Sequence, residues 1–209
     1  MKWFTKIDQK KFSFILLALL FIFLGIGFFC DTNSYFVGNL TPEITGVCLE
    51  LLIIIWVFDK WQEINKKKKL ISLERRLREY LIFFLKHNFK TLPQELRVGK
   101  FFGIDHAKNI DQLDALLKYI RENGLSEKEV MSIQEHCIRE SSTLDNLLPV
   151  ASELTNDHFK AWCRIVYFVN CIAKSSEPVS KSTIDIIQNI KRFDTASFDK
   201  KLYVGAENV

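Results

Sequence analysis

Nineteen consecutive residues without a charge, Phe12 to Cys30, decide most of what this chain can fold into. Inside lipid only a helix or a closed barrel satisfies every backbone N–H and C=O, and a helix of that length, at ~1.5 Å per residue, crosses a ~30 Å hydrocarbon core. A second apolar run, Pro42 to Trp61, is interrupted in its interior once, by Glu50. Between the two, Asp31 to Thr41 holds turn-forming residues and no Lys or Arg. The pattern predicts a transmembrane helical hairpin over residues 1–61, with spans at about 12–30 and 42–61.

Charge placement sets the expected orientation. Lys2, Lys6, Lys10 and Lys11 precede the first run, and Lys60 with Lys66, Lys67, Lys68 and Lys69 follow the second. The positive-inside rule then puts both termini in the cytoplasm and the turn outside. Trp3, Trp56 and Trp61 fall where inner-interface anchors belong, and Tyr35 where an outer one does. A cleaved secretory signal fits less well: the run exceeds the usual ~7–15 apolar residues and no small-x-small site follows it. Cys30 comes after Gly-Phe-Phe, which is not a lipoprotein-processing context.

Thr41-Pro42-Glu43 is a strong helix start, with a capping hydroxyl, a proline at the first helical position and an acid at the positive end of the dipole. Nothing stops that helix at Trp61. Leu70, Leu73, Leu77, Tyr80 and Phe84 recur at heptad-like spacing, and Glu74 with Arg78 makes an i,i+4 pair, so residues 62–88 are expected to continue the second span as one helix. Residues 89–194 then read as an all-α cytoplasmic domain, and 195–209 as a tail. Gly124 should stop a helix over 109–123, Ser126-Glu127-Lys128-Glu129 should open the next as a capping box running to about Glu140, and Pro149 should kink or divide the one after, Thr143 to Leu154. Asn156-Asp157 is expected to cap an apolar helix from His158 to Ala173, the centre of the core. Ser182 to Phe193 is the last amphipathic helix. Residues 60–209 hold 25 Lys and Arg against 20 Asp and Glu, a balance unlike a surface that coats nucleic acid.

Glu50 is the residue that calls for chemistry. An acid inside a span costs a few kcal/mol, roughly 3 by insertion scales, and is uncommon without a use. The facing stretch of the first span, Ala18 to Gly25, offers no hydroxyl, amide or base. Its partner must be water, a backbone carbonyl such as that of Gly46, or a second copy of the chain. Ala18 and Gly25, seven apart, would let another helix approach closely, which points to a homo-oligomer with Glu50 toward a shared interior. An acid-lined pore would favour cations. Lys66 to Lys69 serve as a topology signal and as contacts to lipid head groups.

Elsewhere the residues argue for packing. The four histidines lack metal-ligand spacing, and Cys137, Cys163 and Cys171 read as small buried hydrophobes, five cysteines in all being an odd count for a disulfide scaffold. Lys160, Trp162 and Arg164 put bases beside an aromatic, but an amphipathic helix surface explains them more cheaply than nucleic-acid contact. With no phosphate loop, nucleophile elbow or carboxylate pair on a recognisable frame, no catalytic residue and no cofactor is expected.

The whole pattern, MKWFTKIDQKKFSFILLALLFIFLGIGFFC followed by TPEITGVCLELLIIIWVFDKWQE and a helical part containing LDNLLPVASELTNDHFKAWCRIVYFVNCI, resembles the small two-span membrane effectors of bacterial retron anti-phage systems. The resemblance implies an inner-membrane toxin held silent by a reverse transcriptase bound to its RNA–DNA hybrid product, and released on infection to perturb the membrane in an abortive defence. The competing expectation is a passive membrane anchor or adaptor that recruits a cytoplasmic partner through its helical domain.

Overall fold

The computed structural model describes residues 9–29, 41–98, 101 and 105–203. Lys2, Lys6, Trp3, Cys30, Tyr35, the rest of the 31–40 turn and the end of the expected tail, 204–209, lie outside the described residues. Among the described residues the secondary structure is entirely helical: α1 (Gln9–Phe29), α2 (Thr41–Asn88), a short 3-10 turn (Gln94–Leu96), α3 (His106–Asn123), α4 (Glu127–Asn146), α5 (Leu148–Ser152), α6 (Asn156–Ala173) and α7 (Val179–Asp199). The chain forms two compact units, Met1–Asn65 and Lys66–Val209.

In the first unit α2 starts at Thr41, with Pro42 and Glu43 in its first turn, and the Thr45 hydroxyl donates back to the Thr41 carbonyl at 2.7 Å. No proline follows until Pro93, and α2 runs unbroken for 48 residues. It is the one helix among the described residues that is long and apolar enough to cross a membrane, and only 6% of its most apolar stretch is buried. The described apolar part of α1, Phe12–Ile26, is shorter than a span. Phe14, Phe21, Ile54 and Trp56 are all exposed, whereas Leu16 and Cys48 are buried. An exposed apolar surface of this kind marks contact with a membrane or with another apolar partner.

The second unit has a conventional core. Leu77, Leu81 and Leu85 from the later part of α2 join Leu113 and Leu116 of α3, Ile133 of α4, Trp162 and Ile165 of α6, and Ile186, Ile190 and Phe193 of α7. As expected for the apolar run at 158–173, α6 is central, packing against α4, α5 and α7, while α3 packs against α7. Burying a ring as large as Trp162 also buries its N–H, and this donates to the Leu144 carbonyl at 3.3 Å.

Local chemistry explains most boundaries. The capping box forms: the Ser126 N–H donates to Glu129 Oε2 at 2.8 Å and the Glu129 N–H to Ser126 Oγ at 3.4 Å. Gly124 ends α3 with φ +74° and ψ −171°, a conformation essentially closed to other residues. The break falls beside Pro149, which sits in the first turn of α5.

Three expectations need correction. First, α4 continues past Glu140 to Asn146. Second, the residue before α6 is Thr155, not Asn156, and its hydroxyl meets His158 Nδ1 at 2.7 Å instead of a backbone N–H. Third, α7 runs past Phe193 to Asp199, and Leu202 and Tyr203 are buried, so residues 195–203 belong to the domain and not to a tail. Asp194, Ser197 and Tyr203 are polar groups turned inward to partners.

Candidate functional site

Glu50 lies exposed on α2 and makes no hydrogen bond or ion pair with the described residues, the Gly46 carbonyl included. Ala18 is exposed on α1 and Gly25 is half-buried. A methyl group added at Gly25, or at Gly46, would meet nothing within 4 Å. Among the described residues nothing fills the space beside the small residues of α1. Of the four lysines expected at head groups, Lys66 and Lys68 are exposed, and Lys69 Nζ lies 2.5 Å from Glu153 Oε2 of the second unit. Both partners of that last pair are about half-exposed, so it adds little to stability.

The second unit contains an assembly that sequence reasoning missed. Arg78 of α2 is almost wholly buried between two carboxylates. Its Nε donates to Glu74 Oε1 at 2.7 Å and its Nη1 to Asp194 Oδ1 at 2.5 Å. Nη2 also approaches Glu74 Oε1, at 2.5 Å, as an ion contact outside hydrogen-bonding alignment. Three rings enclose the guanidinium, with centroids 4.9 Å (Phe101), 5.1 Å (Tyr203) and 6.0 Å (Phe193) away. Burial alone would pull the Arg78 pKa down, but the charges of Glu74 and Asp194 outweigh it, and the net direction is upward.

The carboxylates are satisfied from all sides. Asp194 accepts from Asn109 Nδ2 at 3.1 Å and faces His106 Nδ1 at 2.8 Å. His106 stacks on Phe198 at 4.5 Å, and Tyr203 Oη lies 3.3 Å from its Nδ1. Glu74 Oε1 also accepts from Ser197 Oγ at 2.7 Å, and His158 Nε2 lies 3.0 Å from that hydroxyl. His158 is held at a pKa of about 4, chiefly by burial and then by the Arg78 charge, so it is neutral near pH 7. Burial and the Asp194 charge push the Tyr203 phenol upward, keeping it a hydrogen-bond donor.

This network ties α2, α3, α6 and α7 together, one polar side chain at a time. A serine, an imidazole and a carboxylate also make up a nucleophilic relay, but here the Ser197 hydroxyl lies between His158 and Glu74 and donates to the carboxylate, so the imidazole is not placed between the other two, and all three side chains are buried. What the arrangement can do is fix which faces of four helices meet. Buried ion triads are costly to desolvate and very costly to half-dismantle, so they act on specificity of packing more than on net stability. One sequence signal could have exposed it. Ile186, Ile190 and Phe193 place Asp194 and Ser197 on the apolar face of α7, where an unpartnered polar residue would be expensive.

The remaining candidates fall as follows. Cys137 and Cys171 are buried and Cys163 is half-buried; burial pushes the Cys137 thiol up to about 12, an inert group. His136 is lowered to about 4 by burial and the neighbouring His87 charge, and its buried Nδ1 has no hydrogen-bond partner among the described residues. No cluster of three or more metal-binding side chains occurs among the described residues. Trp162 is fully buried, so it cannot stack on a base, while Lys160 and Arg164 are exposed, which is the amphipathic helix surface expected of these three residues. No family model, curated protein or solved structure matches the chain.

Proposed function

We propose that this chain is a membrane-inserted effector that perturbs the bilayer when a restraining partner lets go of its helical domain. The observation that carries the reading is the exposed, unaccompanied Glu50 within the barely buried apolar stretch of α2. A carboxyl group held in hydrocarbon needs donors or water, and the described residues of one chain supply neither. Copies associating through the open Ala18 and Gly25 face of α1 would gather several Glu50 side chains around a wet interior, and a pore lined by acids passes cations.

In this reading residues 1–61 form the hairpin, with both termini cytoplasmic, in a bacterial inner membrane. Lys66 and Lys68 touch anionic head groups, at roughly 1 kcal/mol each. The helical domain is the receptor for the restraint. The resemblance to two-span retron effectors makes that restraint a reverse transcriptase with its RNA–DNA hybrid product.

The test is expression of the chain without partners while membrane potential is followed with a voltage-sensitive dye. Depolarisation and growth arrest are expected, and Glu50→Leu should abolish both. Preserved potential at confirmed membrane levels refutes the effector reading. Activity that survives replacement of residues 1–61 by an unrelated two-span hairpin would make the chain an anchor or adaptor.

A further inference from the structure

Away from the buried triad, α3, α6 and α7 frame an open cleft of about 650 Å3. That volume is in the range of small-molecule sites, ~300–1,000 Å3. Each helix turns one stripe of side chains into it, and together the stripes carry more bases than acids. α3 supplies Arg121, α6 supplies Lys160 and Arg164 one turn apart, and α7 supplies Lys191 and Arg192. Three carboxylates also line it: Asp114, Asp157 and Asp199.

The charges are unequally committed. Lys191 Nζ lies 2.7 and 2.6 Å from the two oxygens of Asp114, and that pair neutralises itself. Arg121, Lys160 and Arg164 are exposed and form no ion pair among the described residues. Arg192 donates only to the neutral Asn189 Oδ1, at 3.2 Å. Four uncommitted cations therefore share the cleft with two uncommitted carboxylates. Such a gathering repels itself and concentrates anions. Three of the four are arginines, whose planar forks fit phosphate oxygens in pairs.

The lining contains no aromatic ring, and Trp162 of α6 points into the core instead. A base would find no stacking surface here, so recognition would fall on phosphates. We propose that this cleft binds a small polyphosphate, an anion with two or more linked phosphates, through Arg121, Lys160, Arg164 and Arg192. The inference is independent of the membrane reading, since every residue it uses belongs to the second unit.

The experiment is calorimetric titration of the full chain, in nanodiscs of zwitterionic phosphatidylcholine at low salt, with tripolyphosphate, ATP, sulfate and adenosine. Tripolyphosphate should bind saturably at one site, more tightly than sulfate, and weaken as salt rises. ATP within about tenfold of tripolyphosphate means that the phosphates are read, and ATP tighter than that means an organic ester is the natural source; both sustain the proposal. Arg164→Gln and Arg192→Gln should each weaken tripolyphosphate binding by about tenfold or more, while Lys174→Gln, outside the cleft, should not. Arg164 and Arg192 are exposed, so loss of fold is not expected, and far-UV circular dichroism checks it.

The proposal is overturned by no saturable binding, by sulfate or adenosine binding as well as tripolyphosphate, or by a double arginine variant that binds like the parent. It is equally overturned if a short single-stranded oligonucleotide binds more than about tenfold tighter than tripolyphosphate, which would assign the cleft to a strand.

Discussion

Removing the Arg78 charge should unfold the helical domain more readily than any core truncation of similar size, and neutralising its partners should then restore stability. Glu74 and Asp194 have side-chain exposures of 1% and 0%, so each is withdrawn from water and depends on the guanidinium. Arg78→Met keeps the aliphatic stem but leaves two buried carboxylates facing one another without a counter-charge. Loss of one partner from a buried pair costs about 3–5 kcal/mol, and loss of the three ring contacts adds up to about 1. Adding Glu74→Gln and Asp194→Asn removes the uncompensated charges while keeping amides that can accept from Ser197, His106 and Asn109. The triple variant should therefore recover at least about 1 kcal/mol over Arg78→Met alone. Urea unfolding of the full chain in nonionic detergent measures this. With Trp3, Trp56 and Trp61 changed to Phe, Trp162, 6.2 Å from Phe193, is the single indole and reports on the core. A loss under about 1 kcal/mol for Arg78→Met, or a triple variant less stable than the single, would refute the claim that unmatched charge is what the fold guards against.

Further outcomes follow from single sites. His158 is held at about 4 in the folded state, against an ordinary 6.5, so above pH 6.5 its full contribution is present. As pH falls from 6.5 the unfolded chain takes up a proton that the folded chain refuses until about 4, and up to about 3 kcal/mol is lost across that window. His136, also at about 4, acts in the same direction, so His158→Gln should remove roughly half of the slope of stability against pH between 4 and 6.5. Gly124→Ala has room for its methyl but not the conformation, and should lower stability by about 1–3 kcal/mol in the same urea assay. Ser126→Ala breaks the capping box at the start of α4 and should cost about 1 kcal/mol, with amide exchange accelerated first in the Glu127–Val130 turn.

Residues whose partners are near in sequence were legible from the chain alone. The capping box, the glycine stop at 124 and the break at Pro149 each involve groups within four residues of one another, and each formed where the residue types demanded. So did the apolar face of α6, which depends only on periodicity. The missed features depend on distance along the chain. Glu74 and Arg78 read only as an i,i+4 pair because Asp194, their third member, lies 116 residues beyond Arg78. The end of α7 was misjudged for the same reason: Ser197 and Tyr203 look solvated until Glu74 and His106 are brought to them. The basic cleft needs three helices at once and has no local signature.

The triad also sets a standard for judging Glu50. Glu74, on the same helix, has an arginine and a serine hydroxyl, and Asp194 has donors from Arg78, His106 and Asn109. These are the companions that this chain assembles for a carboxylate it withdraws from water. Glu50 has none of them among the described residues, though its surroundings on α2 are apolar. Two sources of company that the described residues do not supply are water and a second copy of the chain. Gly25→Leu separates the two cases, because a Cβ at Gly25 meets nothing within 4 Å among the described residues, and far-UV circular dichroism checks that the helices survive the larger side chain. If copies meet across the Ala18 and Gly25 face, the leucine should hold them apart and shift association in detergent, measured by sedimentation equilibrium, by about tenfold or more. Glu50→Leu should weaken the same association, whereas Glu50→Gln, which still accepts and donates, should retain most of it. Association unchanged by Gly25→Leu would remove the small-residue face from the interface, and association unchanged by Glu50→Leu would return Glu50 to water.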